Sequence, residues 1–160
     1  MDEEKKSKKK LTLQQALVKA ELTCVYQERC QQEMRNKLYE WGLFPDAVES
    51  LIAKLISDNF LNEERFAKAF AGGKFRIKKW GRVKIKLELK KRHISDYCIR
   101  KAMQEINDTD YIKILKALIV KKSKQIKGGK EHIRNYKIAK YIASRGFEQD
   151  LIWDILKEGE

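Results

Sequence analysis

The sequence predicts an all-α protein made of three tandem three-helix repeats that form an elongated, curved array. Two observations lead to this prediction. The 160 residues include one proline and eight glycines among many lysine, glutamate, leucine, isoleucine, alanine and glutamine residues. Such a composition is rich in helix formers and poor in helix breakers. Apolar residues also recur at helical spacing, and the same pattern returns after 51 and again after 53 residues.

The internal repeat is the strongest structural signal. When Gly42, His93 and Gly146 are aligned, apolar residues fall eight and four positions before, and one, six and ten positions after, each of them. A spacing of four on both sides is typical of one helix entering a turn and another leaving it. Each copy is expected to contain a long first helix, a second helix that ends at the reference residue, and a short third helix. The aligned residues are Met34, Leu38, Leu43, Val48 and Ile52, then Ile85, Leu89, Ile94, Ile99 and Met103, then Ile138, Ile142, Phe147, Ile152 and Leu156.

The expected domain boundaries follow from this repeat. Residues 1–10 are a charged N-terminus with no apolar position beyond Met1 and are predicted to be disordered. The three repeats are predicted over residues 11–58, 59–106 and 107–158. A unit of this size buries too little apolar surface to be robust alone, so neighbouring copies are expected to pack together.

Polar residues mark the predicted helix starts. Thr12 and Gln15 have the spacing of a capping box. Asn62 fits an N-cap, followed by Glu63 and Glu64 in a first turn where the helix dipole favours acids. Further starts are expected at Pro45, Ser95 and Asn107.

The ends of the second helices require a left-handed residue. Gly42 and Gly146 suit that conformation because glycine has no Cβ. His93 stands at the same place in the middle copy and is expected to carry backbone strain or another cap.

The segment VKIKLELK, residues 83–90, alternates apolar and charged residues as a half-buried β-strand does. No second strand-like segment is evident to pair with it, and a lone strand leaves its backbone groups unpaired. Since the repeat places Ile85 and Leu89 one helical turn apart, a helix is predicted here.

Several classes of protein and site are disfavoured by the composition. Cys24, Cys30 and Cys98 lack CxxC spacing and are expected to be reduced, and His93 and His132 lack nearby metal-ligand spacing, so neither a metal nor a cofactor is expected. No apolar run approaches the roughly 18 residues of a membrane span and no secretory signal is evident, which predicts a cytoplasmic protein. No phosphate loop, HExxH motif or nucleophile elbow is present, so catalysis is not expected.

The positive charge is concentrated in two segments. Residues 74–92 and 121–137 carry net charges of +9 and +6 out of a formal +13. Such segregation predicts binding to a polyanion such as nucleic acid or an assembly built on it. The candidate binding residues are Lys74, Arg76, Lys78, Lys79, Arg82, Lys84, Lys86, Lys90, Lys91 and Arg92, with Lys121, Lys122, Lys124, Lys127, Lys130, Arg134 and Lys137.

Each segment also has a simpler interpretation. A charged run is often only a solvated helix face, although residues 74–92 contain a single acid and the aromatic Phe75 and Trp80. Trp80 is expected to pack between helices rather than stack on a base. In the second segment, Gly128 and Gly129 predict a break between two helices that either wraps a partner or is an exposed turn.

Two sequence blocks, FLNEERFAKAF (60–70) and WGRVKIKLELKKRHIS (80–95), are joined by EMRNKLYEWGL (33–43) and AKYIASRGF (139–147) at equivalent helix ends. On these blocks the chain resembles the RecX family over roughly residues 14–157. His93 stands where the family has glycine, and Cys30 stands at a helix start where serine is usual. The residues that match the family motifs in a structural role are Phe60, Leu61, Asn62, Arg65, Phe66, Ala67, Gly81, Ile85, Leu89, Ile94 and Gly146.

What this resemblance implies is a regulator without catalytic activity. Members of the family bind RecA, preferentially the RecA filament on single-stranded DNA, and suppress filament growth, ATP hydrolysis and strand exchange. The chain is thus expected to be a monomeric regulator of DNA repair and recombination, whose partners are the RecA filament and single-stranded DNA, with double-stranded DNA as a further candidate. The alternative from charge alone is a helical nucleic-acid-binding protein that acts without RecA; a basic helix on anionic lipid is disfavoured.

Overall fold

The computed structural model describes residues 11–159. Over these residues the chain forms α-helices and no β-strand, which confirms the predicted all-α class. The prediction of disorder for residues 1–10 lies outside the described residues. The helices are α1 (Leu13–Tyr26), α2 (Gln31–Glu40), α3 (Pro45–Ser57), α4 (Glu63–Arg76), α5 (Arg82–Lys91), α6 (Asp96–Met103), α7 (Asp108–Gln125), α8 (Glu131–Ser144) and α9 (Gln149–Glu158).

For reference, α1–α3, α4–α6 and α7–α9 are called the first, second and third triplet below. The chain folds as two compact units, of which the first ends at Phe66 and the second begins at Ala67. This division lies within α4, so the first unit contains α1–α3 and the first turn of α4. The repeat boundaries predicted from the sequence, 58/59 and 106/107, stay a prediction.

The helix starts lie where the polar residues predicted them. Thr12 accepts from the backbone N–H of Gln15, whose side chain accepts in return from Thr12, which confirms the capping box. Pro45 is the first residue of α3. Three more N-caps accept a hydrogen bond from the N–H three residues later: Asn62 from Arg65 at 3.0 Å, Ser95 from Cys98 at 3.2 Å and Asn107 from Asp110 at 3.0 Å.

The three reference residues of the repeat adopt one conformation. The φ angles of Gly42, His93 and Gly146 are 86°, 59° and 97°, so each lies in the left-handed region just after the second helix of its triplet. The prediction for the two glycines is therefore confirmed, and His93 takes the same turn with the strain of a side chain. The residues eight and four positions before each turn, and six after, are buried in all three triplets.

The strand-like segment 83–90 is helical, as the repeat predicts. Ile85 and Leu89 lie one turn apart and are both 0% exposed. This face of α5 packs in the core, and its burial outweighs the strand preference that the local alternation indicates.

The core of the first unit joins all three helices of its triplet. Its buried residues come from α1, α2 and α3, with Leu61 before α4. The first turn of α2 is also stabilised by α4, because the backbone N–H of Gln31 donates to Glu63 Oε1 at 2.8 Å. Burial raises the pKa of the Glu63 carboxyl above its ordinary value, against the opposing effect of that hydrogen bond. The buried set is Ala16, Leu17, Ala20, Cys24, Met34, Leu38, Val48, Leu51, Ile52, Leu55 and Leu61.

Tyr111 on α7 lies in the core of the second unit. Its side chain is fully buried, and its ring lies 5.7 Å from that of Phe75 and 5.1 Å from that of Phe147, measured between centroids. Its hydroxyl donates to Glu148 Oε1 at 2.5 Å and accepts from the backbone N–H of Arg82 at 3.1 Å. Burial raises the pKa of this phenol far above its usual range, so it stays protonated and able to donate.

The N-terminus of α5 is seated against the turn between α8 and α9. The backbone N–H of Gly81 donates to the carbonyl of Arg145, and that of Val83 to the carbonyl of Gly146, both at 2.9 Å. Together with the bond from Arg82 to Tyr111, these contacts satisfy donors that the first turn of a helix cannot pair internally. The Arg145 guanidinium also donates to the carbonyl of Lys78, just before this helix.

We expect Gly81→Ala to destabilise the protein by about 3 kcal/mol, because a Cβ at this position overlaps backbone atoms of Gly146 and Phe147 rather than the end of a flexible side chain. The matched control is Gly73→Ala in α4, where a Cβ meets no atom within 4 Å. That change should stabilise the helix by about 0.5–1 kcal/mol. Urea unfolding of the three proteins measures both effects, and equal stability of Gly81→Ala and wild type would contradict the close contact.

The cysteines give a second prediction. Cys24, Cys30 and Cys98 are reduced thiols, the first two buried and the third half-buried. Burial raises the pKa of Cys24 to about 11, so about one part in a thousand is thiolate at pH 8. We expect Ellman's reagent to label Cys98 first in the native protein at pH 8. Cys98→Ser should remove this fast phase and Cys24→Ser should leave it; the reverse result would contradict the burial order.

Candidate functional site

The two units differ strongly in charge. Residues 11–66 contain 6 lysines and arginines against 9 acids, whereas residues 67–159 contain 25 against 10. Both basic segments predicted from the sequence lie in the second unit. A polyanion would therefore be attracted to the second unit and weakly repelled by the first.

The first basic segment runs from the last turn of α4, through a turn, into α5. Lys79 takes a left-handed conformation in that turn, with φ of 56°. Trp80 follows and is half-buried, edge-on to Phe70 with ring centroids 6.3 Å apart. The ammonium groups of Lys74 and Lys84 lie 4.9 Å and 4.3 Å from its ring centroid, so the ring is covered by cations and by α4. This supports the interpretation that Trp80 packs between helices.

Arg82 is held by the protein itself. Its guanidinium pairs with Asp108, lies 3.7 Å from Glu148 Oε2, and stacks over the Tyr111 ring at 4.0 Å from the centroid. A guanidinium with three intramolecular partners has little freedom to leave them for a ligand. Among the candidate cations, Arg82 thus has a structural role at the α5 start.

Glu88 is the single acid of the first segment and holds two more of its cations. Lys91 and Arg92 both donate to its carboxylate at 3.1 Å, and the Arg92 guanidinium also lies over the Phe70 ring. The hydrogen bonds from Lys91 and then Arg92 lower the pKa of Glu88 below its ordinary value. Four candidate residues on exposed positions remain to meet a ligand in this segment: Arg76, Lys78, Lys86 and Lys90.

The second basic segment covers the end of α7, a connecting loop and the first half of α8. Gly128 and Gly129 have φ angles of 77° and 86°, so the predicted break between two helices is present. The Lys122 ammonium lies over the Tyr141 ring at 4.1 Å, and the Arg134 guanidinium donates to the carbonyl of Gly129 at 3.4 Å. The exposed cations of this segment are Lys121, Lys124, Lys127, Lys130 and Lys137.

The family-motif residues occupy structural positions rather than the charged surface. Arg65 binds Glu28 at 2.5 Å and the carbonyl oxygens of Asn59 and Phe60 at 3.0 Å and 3.2 Å, which ties the start of α4 to the segment after α1. Asn62 caps α4, and Gly81 and Gly146 form the backbone contact described above. The buried members are Leu61, Phe66, Ala67, Ile85, Leu89 and Ile94, and Phe60 is half-buried against the core of the first unit.

Sequence reasoning missed the residues that hold α5 in place from the third triplet. The sequence pattern indicates no role for Tyr111, Arg145 and Glu148. Tyr111 and Glu148 contact Arg82, and Arg145 contacts Lys78, across 29 to 67 positions of the chain. The sequence signal that could have found this place is glycine at 81 and 146, the two positions where the backbones meet.

Other kinds of site find little support within residues 11–159. No group of three potential metal ligands occurs there, and none of the described helices is long and apolar enough to cross a bilayer. Two surface cavities of about 180 and 320 Å³ flank the half-buried Trp153 on α9. The acid and the histidine that line the larger one, Glu131 and His132, are both exposed, so it offers no enclosed catalytic centre.

The fold and the charged surface define a class of protein: an all-helical chain whose exposed cations are concentrated on α5 and around the loop between α7 and α8. A family model described as the second three-helix domain of RecX matches residues 62–103. The regulatory protein RecX of Prosthecochloris aestuarii is 30% identical over 131 residues, which are 82% of this chain and 84% of that protein. The chain belongs to the RecX family of regulatory proteins.

Other relatives agree with this membership. Regulatory proteins RecX of Lactobacillus johnsonii and Clostridium acetobutylicum are each 30% identical, over 79% and 81% of this chain, and the chain aligns with 46% and 62% of their lengths. The crystal structure of RecX from Lactobacillus salivarius is similar with a TM-score of 0.80 at 23% identity, covering 91% of this chain and 95% of that one. This structural similarity supports the all-α fold.

We expect Arg82→Gln to lower the stability of the protein and Lys86→Gln to leave it nearly unchanged. The first removes two ion pairs and a stacked ring contact and should lower stability by about 1–2 kcal/mol. The second changes an exposed side chain and should stay within about 0.5 kcal/mol of wild type. Thermal melts followed by circular dichroism compare them, and similar melts for both would contradict the structural role of Arg82.

Proposed function

We propose that this protein binds the RecA filament on single-stranded DNA and inhibits its recombinase and ATPase activity. Membership of the RecX family supports a regulatory role. The observation that carries the proposal is the concentration of exposed cations on the second unit, above all Lys86 and Lys90 on α5 and those around Gly128 and Gly129. A nucleoprotein filament presents rows of phosphates and carboxylates that such a surface can bind.

Inhibition follows from binding alone in this proposal. A protein attached by several cations to neighbouring filament subunits opposes the subunit rearrangements that accompany ATP hydrolysis, and it competes with the addition of further subunits. The protein is a regulator that contributes binding free energy and no reaction step of its own. The monomeric state, the cytoplasmic location and the three repeats over residues 11–58, 59–106 and 107–158 remain part of the proposal.

The second candidate is nucleic-acid binding that does not need RecA. The same exposed lysines support it, because phosphates attract ammonium groups wherever they are presented. On single strands the logarithm of the binding constant should fall with the logarithm of the salt concentration by about 0.7 for each phosphate neutralised. Affinity for bare and RecA-coated oligonucleotides separates the two functions, because equal affinity for both would favour the second.

The test uses the double variant K86E/K90E in a RecA ATPase assay on single-stranded DNA. The wild type should inhibit hydrolysis, and the variant should require about tenfold more protein for the same inhibition, since two attractive contacts become repulsive. The control is K113E/K116E on α7, which makes the same change of charge outside both basic segments. Its inhibition should be close to that of wild type.

Circular dichroism melts of both double variants check that they stay folded. Unchanged hydrolysis at severalfold molar excess of the wild-type protein would refute the proposed function. Equal inhibition by K86E/K90E and wild type would instead show that the filament is bound elsewhere.

A further inference from the structure

Helix α5 is apolar on two opposite faces. Ile85 and Leu89 are fully buried, whereas Val83 and Leu87 are each 52% exposed. At 100° per residue, Val83 and Leu87 lie side by side on one face and the buried pair lies on the other. The strand-like alternation in the sequence therefore corresponds to two apolar stripes on a helix. Only the stripe of Ile85 and Leu89 is buried in the core.

The exposed stripe is bordered by lysines. The helical positions place Lys86 and Lys90 along one side of Val83 and Leu87, and Lys84 and Lys91 along the other. Lys84 lies over Trp80 and Lys91 is bonded to Glu88, which leaves Lys86 and Lys90 as the exposed border. Glu88, the one acid of α5, lies on the side of the helix away from Lys86 and Lys90 and is held by Lys91 and Arg92.

Binding to phosphates does not explain why Val83 and Leu87 are exposed apolar residues. Contacts to a nucleic-acid backbone come from charged and hydrogen-bonding groups, and bases stack on aromatic rings or guanidinium planes. Valine and leucine side chains provide neither. They gain free energy when another apolar surface covers them, and protein surfaces provide such patches.

We propose that the stripe of Val83 and Leu87, with Lys86 and Lys90 at its border, docks on a protein surface whose apolar patch is edged by carboxylates. The inference rests on the proposed function and deepens it: at α5 the protein contacts the protein subunits of the filament rather than its DNA. Charge complementarity carries this choice, because an apolar patch framed by ammonium groups matches an apolar patch framed by acids.

The test replaces the apolar pair without changing charge. The variant V83Q/L87Q keeps two helix-forming residues at exposed positions, so α5 should remain folded. Helix α1 offers a matched control, V18Q/L22Q, since Val18 and Leu22 are the same two residue types at the same spacing and are 45% and 64% exposed. Melting curves of both variants should overlap that of wild type. If V83Q/L87Q melts early, Leu87→Gln alone takes its place.

Fluorescence anisotropy measures binding to a labelled single-stranded oligonucleotide, either bare or coated with RecA. We expect V83Q/L87Q to bind the coated oligonucleotide about tenfold more weakly than wild type, and the bare one within about twofold. The control V18Q/L22Q should match wild type on both probes.

Three results would overturn the inference: an equal loss of affinity on bare and coated oligonucleotides, no loss on either, or an equal loss with the α1 control. Failure of the proposed function gives a different result, because the wild type itself then shows no preference for the coated oligonucleotide. A selective loss for the coated probe, absent in the control, supports α5 as a protein-docking helix.

Discussion

The second unit depends on one backbone contact, in which the start of α5 rests on the turn that closes α8. A Cβ at Gly81 would overlap the backbone of Gly146, a Cβ at Gly146 would overlap Lys84, and the N–H groups of Gly81 and Val83 donate to carbonyls of that turn. Tyr111 supplies a third acceptor from the middle of the aromatic core. Because these bonds fix the rotation of α5, they also decide which of its side chains are buried and which lysines are presented.

Arginines and lysines have different roles in this protein. Arg65, Arg82 and Arg145 bond to carboxylates or carbonyls that lie far away in sequence, and Arg82 also stacks on a buried ring. The planar guanidinium suits such shared contacts, whereas an ammonium group on a flexible stem is readily kept in water. The exposed cations that support the proposed function are mainly lysines, which keeps the binding surface separate from the groups that stabilise the fold.

Most of the fold was predictable because its signals are local. The capping residues Thr12, Asn62, Ser95 and Asn107 specify helix starts within one turn of the chain, and the structure has them where they were expected. The candidate site was predicted less completely. Net charge along the sequence identified the basic segments, but it could not tell that Arg82 is held by acids 26 and 66 positions away.

The sequence by itself determined that the chain is helical, where its helices begin and turn, and that its charge lies in two segments, because propensity, capping and periodicity act over a few residues. The repeat also selected Ile85 and Leu89 as aligned apolar positions of α5, whereas only the tertiary structure decided which cations remain exposed and which are held by acids. That choice depends on contacts between α5 and the third triplet. Such long-range contacts leave no periodic trace in the sequence beyond the two glycines that permit them.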